Sequence, residues 1–386
     1  MSGKRSIFEE VGSEARAEAA PQTGLIDRAR RGARGAIRAW LMVLFALVVV
    51  MIAVGGLTRL TDSGLSITEW KPVTGALPPM SAADWESEFD KYRAIPEYQL
   101  QNKGMSLAEF KVIYWWEWGH RQLGRVIGLV WAAGFLWFLV RRQIPHGWTG
   151  RLLGLGALGG LQGAIGWWMV SSGLTGTMVD VASYRLATHL GIAFVILALI
   201  SWYVLTLGRE ERELIQARRG AEPKLKGLAT GVLHFSFLQI LLGALVAGID
   251  AGRGFPTWPL MNGAFFPADA FYVPGAENGA TWRAFFENPG LVQFMHRMAG
   301  YLLFVFALFA WWKARGSPLV RTRRAFDWMA VAIFGQMVLG IVTVLYAAPW
   351  QIAIIHQLGA VAVVVLVLRA RFQTMYPTAQ SVRGSA

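Results

Sequence analysis

The stretch Glu117-Trp118-Gly119-His120-Arg121-Gln122-Leu123-Gly124-Arg125 opens an apolar run that continues to Val140. It places a histidine, a carboxylate and two arginines at the start of a predicted membrane helix. Ionisable residues in such a position are costly, and they usually have a function. A weaker copy of the pattern, His296-Arg297-Met298-Ala299-Gly300, opens another apolar run further along the chain. The chain therefore divides into two halves that share one arrangement.

The composition is that of a multi-span membrane protein. Of the 386 residues, 54% are hydrophobic and 16% are charged, whereas soluble domains carry about a quarter charged residues. A membrane span needs about 20 mainly apolar residues. Eight segments meet this requirement: 37–58, 116–140, 151–170, 186–207, 228–248, 291–312, 327–346 and 352–369. The predicted fold class is therefore an all-α polytopic membrane protein with eight transmembrane helices.

The arginines and lysines predict how these spans are oriented. They precede the first span, follow the second, fourth, sixth and eighth spans, and so fall on one side. The positive-inside rule makes that side cytoplasmic and places both termini there. Five parts are predicted in chain order. They are a cytoplasmic tail (1–35), a first half (36–208) with a long outer loop (59–115), a cytoplasmic linker (209–226), a second half (227–371) with a long outer loop (249–290), and a cytoplasmic tail (372–386).

Two bulk properties exclude other classes of protein. The formal net charge of +13 is spread between apolar segments, so it does not indicate a nucleic-acid-binding surface. The chain contains no cysteine, which excludes disulfides, iron–sulfur clusters and thiolate metal sites. Any metal would have to be held by histidine, methionine or carboxylate side chains.

The two halves repeat in sequence. Gly160–Gly166 in the third span resembles Gly335–Gly340 in the seventh, and in each half a second histidine follows two helices after the first. Four spans per half is an even number, so both halves insert with the same orientation. Parallel repeats of this kind are related by an axis along the membrane normal. We therefore predict two tandem four-helix bundles related by a pseudo-twofold axis.

The four repeated histidines predict two porphyrin sites. A pair of neutral imidazoles on facing helices of a bundle can hold an iron porphyrin. A lone histidine is more often a buried structural residue, but four at matched positions favour ligands. All four enter their helices from the outer side. The pairs are His120 with His189 in the first half and His296 with His356 in the second, and His146 and His234 are predicted to be structural.

Arginines accompany the first histidine of each half. Arg121 and Arg125 form a basic stripe beside His120, and Arg297 follows His296 directly. Porphyrin propionates are planar carboxylates, which guanidinium groups bind well. These three arginines are therefore predicted to contact the propionates.

A carboxylate distinguishes the two halves. Glu117 stands three residues before His120 and shares its helix face, whereas the matching residue of the second half is Gln293. A simple helix ion pair between Glu117 and Arg121 is an alternative. It explains the arginine, but it does not explain why an acid lies beside a histidine at the membrane edge. Only the first half thus has an acid near its predicted iron.

Several segments together resemble the heme A synthases of the alphaproteobacterial and mitochondrial branch, membrane enzymes that oxidise the C8 methyl group of heme O to the formyl group of heme A. The resemblance covers about residues 36–371. The segments that carry it are Gly55–Pro72, Glu117–Arg121, Thr188–His189, Thr257–Gly263, His296–Arg297 and His356–Gln357.

The resemblance implies roles for these residues. His296 and His356 would ligate a permanently bound heme B, and His120 and His189 would belong to the half that receives heme O. Glu117 would be the acid that assists methyl oxidation, which proceeds in two steps through a hydroxymethyl intermediate. Some members of the family carry a cysteine pair in an outer loop, and this chain has none. A mechanism that requires a loop thiol is therefore in doubt here.

The resemblance also implies a location and partners. The protein would lie in the cell inner membrane, with its heme sites toward the outer face and in contact with membrane lipids. Heme O synthase and cytochrome oxidase assembly factors are candidate partners, and a quinol or a ferredoxin-like protein is a candidate electron donor. The sequence leaves open whether the protein forms a homo-oligomer.

Two other classes compete with this interpretation. A di-heme membrane cytochrome would carry electrons from quinol without modifying heme. Such a carrier should place its hemes toward opposite faces, whereas all four histidines enter from one side, and it would not need Glu117. A transporter built from parallel repeats would bind no heme at all.

Overall fold

The protein, represented by a computed structural model, is described over residues 25–274 and 281–378, with side chains from residue 33 onward. The first 24 residues of the predicted tail 1–35 and residues 379–386 of the predicted tail 372–386 lie outside this part. The α-helices of the described residues are α1 (Leu25–Leu60), α2 (Ala82–Arg93), α3 (Pro96–Leu100), α4 (Leu107–Val140), α5 (Thr149–Val170), α6 (Ser183–Leu207), α7 (Glu211–Ala217), α8 (Pro223–Gly248), α9 (Ala251–Gly254), α10 (Ala284–Glu287), α11 (Pro289–Ala314), α12 (Val320–Leu345) and α13 (Trp350–Met375).

Eight of these helices are long and apolar enough to cross a membrane: α1 from Ala33, α4, α5, α6, α8, α11, α12 and α13. The predicted number of spans and the all-α class are therefore confirmed. Within the described residues the only β-type pairing is an isolated bridge between Met261 and Ala264.

The spans pack as two groups of four. In the first, α1 contacts α4 and α6, and α5 contacts both α4 and α6. In the second, α8 contacts α11 and α13, and α12 contacts both α11 and α13. The groups meet where α6 contacts α8 and α13, and where α1 contacts α13. These contacts close each half into a four-helix bundle, while the pseudo-twofold relation between the halves stays a prediction.

Small residues let the helices of the second half approach closely. Ala229 on α8 and Ala307, Ala310 and Ala314 on α11 are fully buried in its core. Membrane helices associate through close packing rather than through a hydrophobic driving force, so small side chains at the contact are stabilising.

The first outer loop is shorter than the predicted range 59–115, because α4 begins at Leu107. Ser106 and Glu109 form a capping box: the Ser106 side chain accepts from the Glu109 N–H at 3.3 Å, and the Glu109 carboxylate accepts from the Ser106 N–H at 2.8 Å. This cap starts the helix well before the apolar run on which the prediction relied. Glu117 therefore lies within the helix and not at its start.

Other predicted boundaries also moved, because polar residues extend helices beyond their apolar parts. Helix α1 begins inside the predicted tail 1–35, and α13 ends at Met375 inside the predicted tail 372–386. The predicted linker 209–226 holds α7 and the start of α8, whose Pro223 occupies the first turn, where proline is well tolerated.

The first outer loop folds into a cap over α4. Its helix α2 places Phe89 and Tyr92 against Phe110 of α4, and all three are fully buried. The rings of Phe89 and Phe110 stack with centroids 4.8 Å apart. This aromatic cluster fixes the loop above the end of the bundle that carries His120.

Candidate functional site

Each of the four repeated histidines packs against a glycine of the span before it. A Cβ atom added to any of these glycines would lie only 2.9 to 3.0 Å from the Cε1 atom of the facing ring. Real Cβ contacts essentially never fall below 3.0 Å, so glycine makes room for each imidazole. The pairs are Gly55 with His120, Gly166 with His189, Gly243 with His296, and Gly340 with His356.

A glutamine one turn before the glycine supports three of the four histidines. Its side-chain amide donates to the histidine backbone carbonyl: Gln162 to His189 at 3.0 Å, Gln239 to His296 at 2.9 Å, and Gln336 to His356 at 2.7 Å. Met51 occupies the corresponding place before Gly55. Sequence reasoning did not assign a role to these glutamines. The available signal was the spacing Gln-x-x-x-Gly.

The second-half histidines face each other. The ring centroids of His296 and His356 are 6.4 Å apart, and their planes are perpendicular. A metal–imidazole bond is about 2 Å long, so one metal with a ring on either side gives a centroid separation of about 6 Å. The separation therefore fits two imidazoles that bind one metal.

A metal held here would need ligands from elsewhere. Within the described residues no group of three or more histidine, cysteine or acidic side chains could hold a metal ion. Two histidines suit an iron whose remaining ligands come from a porphyrin. The donor set thus fits a heme better than a free ion.

The first-half histidines are placed in the same way. His120 and His189 are both partly buried, each against its glycine. The Nδ1 atom of His189 is buried and has no hydrogen-bond partner. A buried polar atom without a partner is costly, so this nitrogen fits a site that a ligand completes.

Arg297 has guanidinium donors that are free to bind a carboxylate. Its side chain is 9% exposed, and one guanidinium nitrogen donates to the carbonyl of Phe255 at 2.7 Å and to the amide oxygen of Gln293 at 2.9 Å. Its Nε and Nη1 atoms are buried without a partner. Unpaired guanidinium donors match the geometry of a propionate.

Arg121 and Arg125 are engaged differently, because they hold the first outer loop onto α4. They donate to backbone carbonyls of that loop at 2.8 to 3.0 Å: Arg121 to Ile67 and Glu69, and Arg125 to Lys71 and Pro72. Arg121 also pairs with Glu117 at 2.6 Å. Their predicted contact with propionates stays a prediction, beside this tethering role.

Glu117 is the buried acid of the first half. One carboxylate oxygen accepts from the Ser66 hydroxyl and from the Ile67 N–H, both at 2.8 Å, and the other accepts from Arg121. The helix ion pair proposed as the alternative is therefore present. It accounts for only part of the contacts, because Glu117 also anchors the outer loop.

The second half repeats this arrangement with a neutral side chain. Gln293 is 2% exposed, accepts from Arg297 four residues later, and donates to the carbonyl of Ala251 in the second outer loop at 2.7 Å. The two halves share the geometry around the first histidine. They differ in one group, because the Glu117 carboxylate can hold a proton and the Gln293 amide cannot.

The two sites are linked through α1. Gln357, next to His356, donates to the carbonyl of Ile52 at 2.7 Å and lies against Gly56. The adjacent Gly55 packs against the first histidine of the other half. A single turn of α1 thus touches both candidate sites.

Comparison with known proteins identifies the family. The COX15-CtaA family, described as cytochrome oxidase assembly protein, matches residues 38–368. The chain belongs to the COX15-CtaA family. A protein of Dinoroseobacter shibae named heme A synthase is 68% identical over 387 residues, which is 100% of both chains. Proteins of the same name from Ruegeria pomeroyi and Cereibacter sphaeroides (strain ATCC 17029) are 66% and 64% identical, over 100% and 98% of both chains.

In this COX15-CtaA family member the other two histidines lie apart from the paired ones. His146 lies in the turn between α4 and α5, and His234 lies on α8; both are exposed. Neither forms part of a histidine–glycine pair. The four histidines chosen from the sequence are thus the four that the structure arranges alike.

Proposed function

We propose that this protein acts as a heme A synthase, which oxidises the C8 methyl group of heme O to a formyl group in two successive steps through a hydroxymethyl intermediate. The observation that carries the proposal is the pair of matched histidine sites, of which only one has a buried acid, Glu117. The relatives named heme A synthase, at 63–68% identity over nearly the whole chain, support it.

The second half would hold heme B. His296 and His356 would hold its iron, and the free donors of Arg297 would bind a propionate. Gln239 and Gln336 fix the backbone of the two histidines, so the rings stay aimed at one point. When bound, heme B would supply one-electron redox chemistry.

The first half would receive heme O as substrate. His120 and His189 would orient it between α4 and α6, and Glu117 would hold or release a proton beside the methyl group that reacts. Ser66 and Ile67 belong to the first outer loop, which is packed against α4. Their hydrogen bonds therefore keep the Glu117 carboxylate in place.

Both sites would lie toward the outer face of the cell inner membrane, with the termini in the cytoplasm. If all eight spans cross, the four histidines enter from the side that carries the two long loops. Lipid-tailed heme O would reach the first half from the bilayer. Heme O synthase would supply it, and a quinol or a ferredoxin-like protein would exchange electrons with the protein.

The heme inventory of the purified protein tests the proposal. The chain is expressed in a host that makes heme O, and the extracted hemes are separated by chromatography. Heme B together with heme A or a hydroxylated intermediate is expected. Two molecules of heme B per chain and no heme A would instead indicate the di-heme cytochrome. A protein without heme would exclude both functions.

A further inference from the structure

A cavity of about 400 Å³ lies at the ends of the spans, away from the candidate heme sites. Arg34 stands at the start of the spanning part of α1 and Arg151 at the start of α5, whereas Thr206 and Tyr376 stand at the ends of α6 and α13. If all eight spans cross, these four ends are on the side opposite the two long loops. The ends of spans lie at the boundary between membrane and water, so the cavity lies at the depth of the lipid headgroups.

The side chains that line this cavity are mainly basic. Its charged lining residues are Arg34, Arg151 and Arg218 against Glu211, which leaves two positive charges in excess. Guanidinium groups bind phosphate through parallel hydrogen bonds. Basic pockets between membrane helices on the cytoplasmic side bind anionic lipid headgroups. The charge of the cavity therefore suits a phosphate group.

Two of the arginines keep hydrogen-bond donors for a ligand. The guanidinium carbon of Arg151 lies 4.9 Å from the centroid of the Trp148 ring, and this contact with a ring face uses none of its N–H groups. Arg218 donates from Nη2 to the hydroxyl of Tyr376 at 3.0 Å. Since an arginine carries five N–H donors, both side chains can bind an anion without losing the contact that positions them.

Arg34 has a structural role as well. Its Nη2 atom donates to the carbonyls of Thr206 and Arg209 at 3.2 and 2.8 Å, at the end of α6. A basic side chain there is stabilised by the unpaired carbonyls of the helix end. Capping of α6 thus explains Arg34, but it explains neither Arg151 nor Arg218.

The walls of the cavity favour a lipid over a soluble anion. The rings of Trp148 and Tyr203 meet edge to face with centroids 5.4 Å apart, and Trp202 and Tyr376 also line the cavity. Tryptophan and tyrosine are enriched at the level of the headgroups. Ile215 on α7, at the rim, is 59% exposed. An apolar side chain exposed beside a basic pocket suits a ligand that has an apolar part.

We propose that this cavity binds the phosphate of an anionic phospholipid from the adjoining leaflet, with Arg151 and Arg218 as its main ligands. The lining residues come from α1, α5, α6 and α7 and from Tyr376 after α13. The bound headgroup therefore joins the first half to the last span of the second. The proposal is independent of the heme chemistry, because none of the residues that line the cavity belongs to either histidine site.

The test measures lipid binding to the purified full-length protein. The protein in detergent is titrated with phosphatidylglycerol, and the bound lipid is counted by native mass spectrometry. The test variant combines Arg151→Gln with Arg218→Gln. The matched control combines Arg141→Gln with Arg219→Gln, which removes the same charge from exposed arginines on the same side that do not line the cavity. Phosphatidylethanolamine and inorganic phosphate are the two comparison probes.

We expect the wild type and the control variant to bind one phosphatidylglycerol with equal affinity. The test variant should bind it about 25-fold more weakly, because each arginine near an anionic headgroup contributes about fivefold. An unchanged affinity in the test variant, or an equal loss in the control, would overturn the proposal. Equal binding of phosphatidylethanolamine would overturn the preference for an anionic lipid. Displacement of the lipid by an equal concentration of inorganic phosphate would show a site for a soluble anion instead.

A single substitution keeps the test decisive if the double variant does not fold, as judged by circular dichroism. Arg151 is exposed and stacks on Trp148, so Arg151→Gln leaves the packing of the spans unchanged. This variant should bind phosphatidylglycerol about fivefold more weakly than the wild type, and Arg141→Gln should not. Equal affinities in the two single variants would contradict the assignment of the cavity to a lipid phosphate.

Discussion

The imidazole rings of His296 and His356 stand perpendicular with their centroids 6.4 Å apart, and each ring is seated on a glycine of the preceding span. The two histidines come from α11 and α13, which are separated by a whole span. Their separation is fixed by helix packing and by the glutamine bonds to their carbonyls.

Replacing either His296 or His356 by alanine should remove heme B. Each substitution deletes one of the two imidazoles that would hold the iron, and even residues that only support metal ligands change affinity by about 10- to 100-fold. We expect at least a tenfold loss of bound heme, measured from the visible absorption spectrum of the purified protein. His234→Ala, an exposed position on α8, should keep the full heme content. Unchanged spectra in both variants would show that His296 and His356 do not bind the heme iron.

Replacing Gly243 by alanine should weaken heme binding without unfolding the bundle. The new Cβ would lie 2.9 Å from Cε1 of His296, so the ring has to move. Overpacking of this kind costs about 1–3 kcal/mol. Because the ring can avoid the new methyl group only by leaving the position in which it would bind iron, we expect this cost to fall on heme binding and to lower the affinity by about fivefold or more. Gly227→Ala on the same helix meets nothing within 4 Å and should bind heme normally. Equal heme affinities in the two variants would show that the glycine contact is unimportant.

The spans and the histidine pairs could be predicted because hydropathy and repeat position are local properties of the chain. The start of α4 was also accessible, since Ser106 and Glu109 form a recognisable capping box; reliance on the apolar run alone gave the wrong boundary. The asymmetry between Glu117 and Gln293 needed only an alignment of the two halves.

Other parts of the site depend on tertiary structure. The segments that carry Gln162 and Gln336 were visible as a repeat, but their bonds to histidine carbonyls follow from how neighbouring helices pack. Glu97 stands in a polar loop whose composition is unremarkable for a surface. Its burial on α3 follows from the packing of this loop, because Tyr92 and Ile95 are buried in one cluster with Phe110 of α4.

Replacing Glu117 by glutamine should leave heme B in place and stop the oxidation, or stall it at the hydroxymethyl intermediate. Glutamine can still accept hydrogen bonds from Ser66 and Ile67, but it cannot exchange a proton. General acid–base groups contribute about 10²–10⁴-fold to rate, so a loss of at least a hundredfold is expected in heme A formation. The readout is chromatography of the extracted hemes.

The control for that variant is Glu109→Gln, an exposed change in the cap of the same helix. It alters a carboxylate near the start of α4 without touching the candidate site, and heme A formation should continue. Normal heme A formation by the Glu117 variant would reduce that residue to a partner of Arg121 and an anchor for the loop.

Glu97 should make the stability of the protein depend on pH. The pKa of its carboxyl is 4.5 in the unfolded chain and is raised to about 8 in the folded protein by burial and neighbouring acids. Between these values the folded state binds more protons than the unfolded state, so the free energy of unfolding falls as pH rises from about 4.5 to 8. Below this interval the carboxyl is neutral in both states, and above it the full penalty for the buried charge is present.

The Glu97→Gln variant should therefore unfold at a higher temperature than the wild type at pH 8.5, and the two should converge near pH 5. Thermal unfolding in detergent, followed by circular dichroism across this range, measures the difference. The exposed Glu86→Gln change should follow the wild type at every pH. A constant offset between Glu97→Gln and the wild type would mean that the substitution alters packing, because only a titrating carboxyl makes the offset grow with pH.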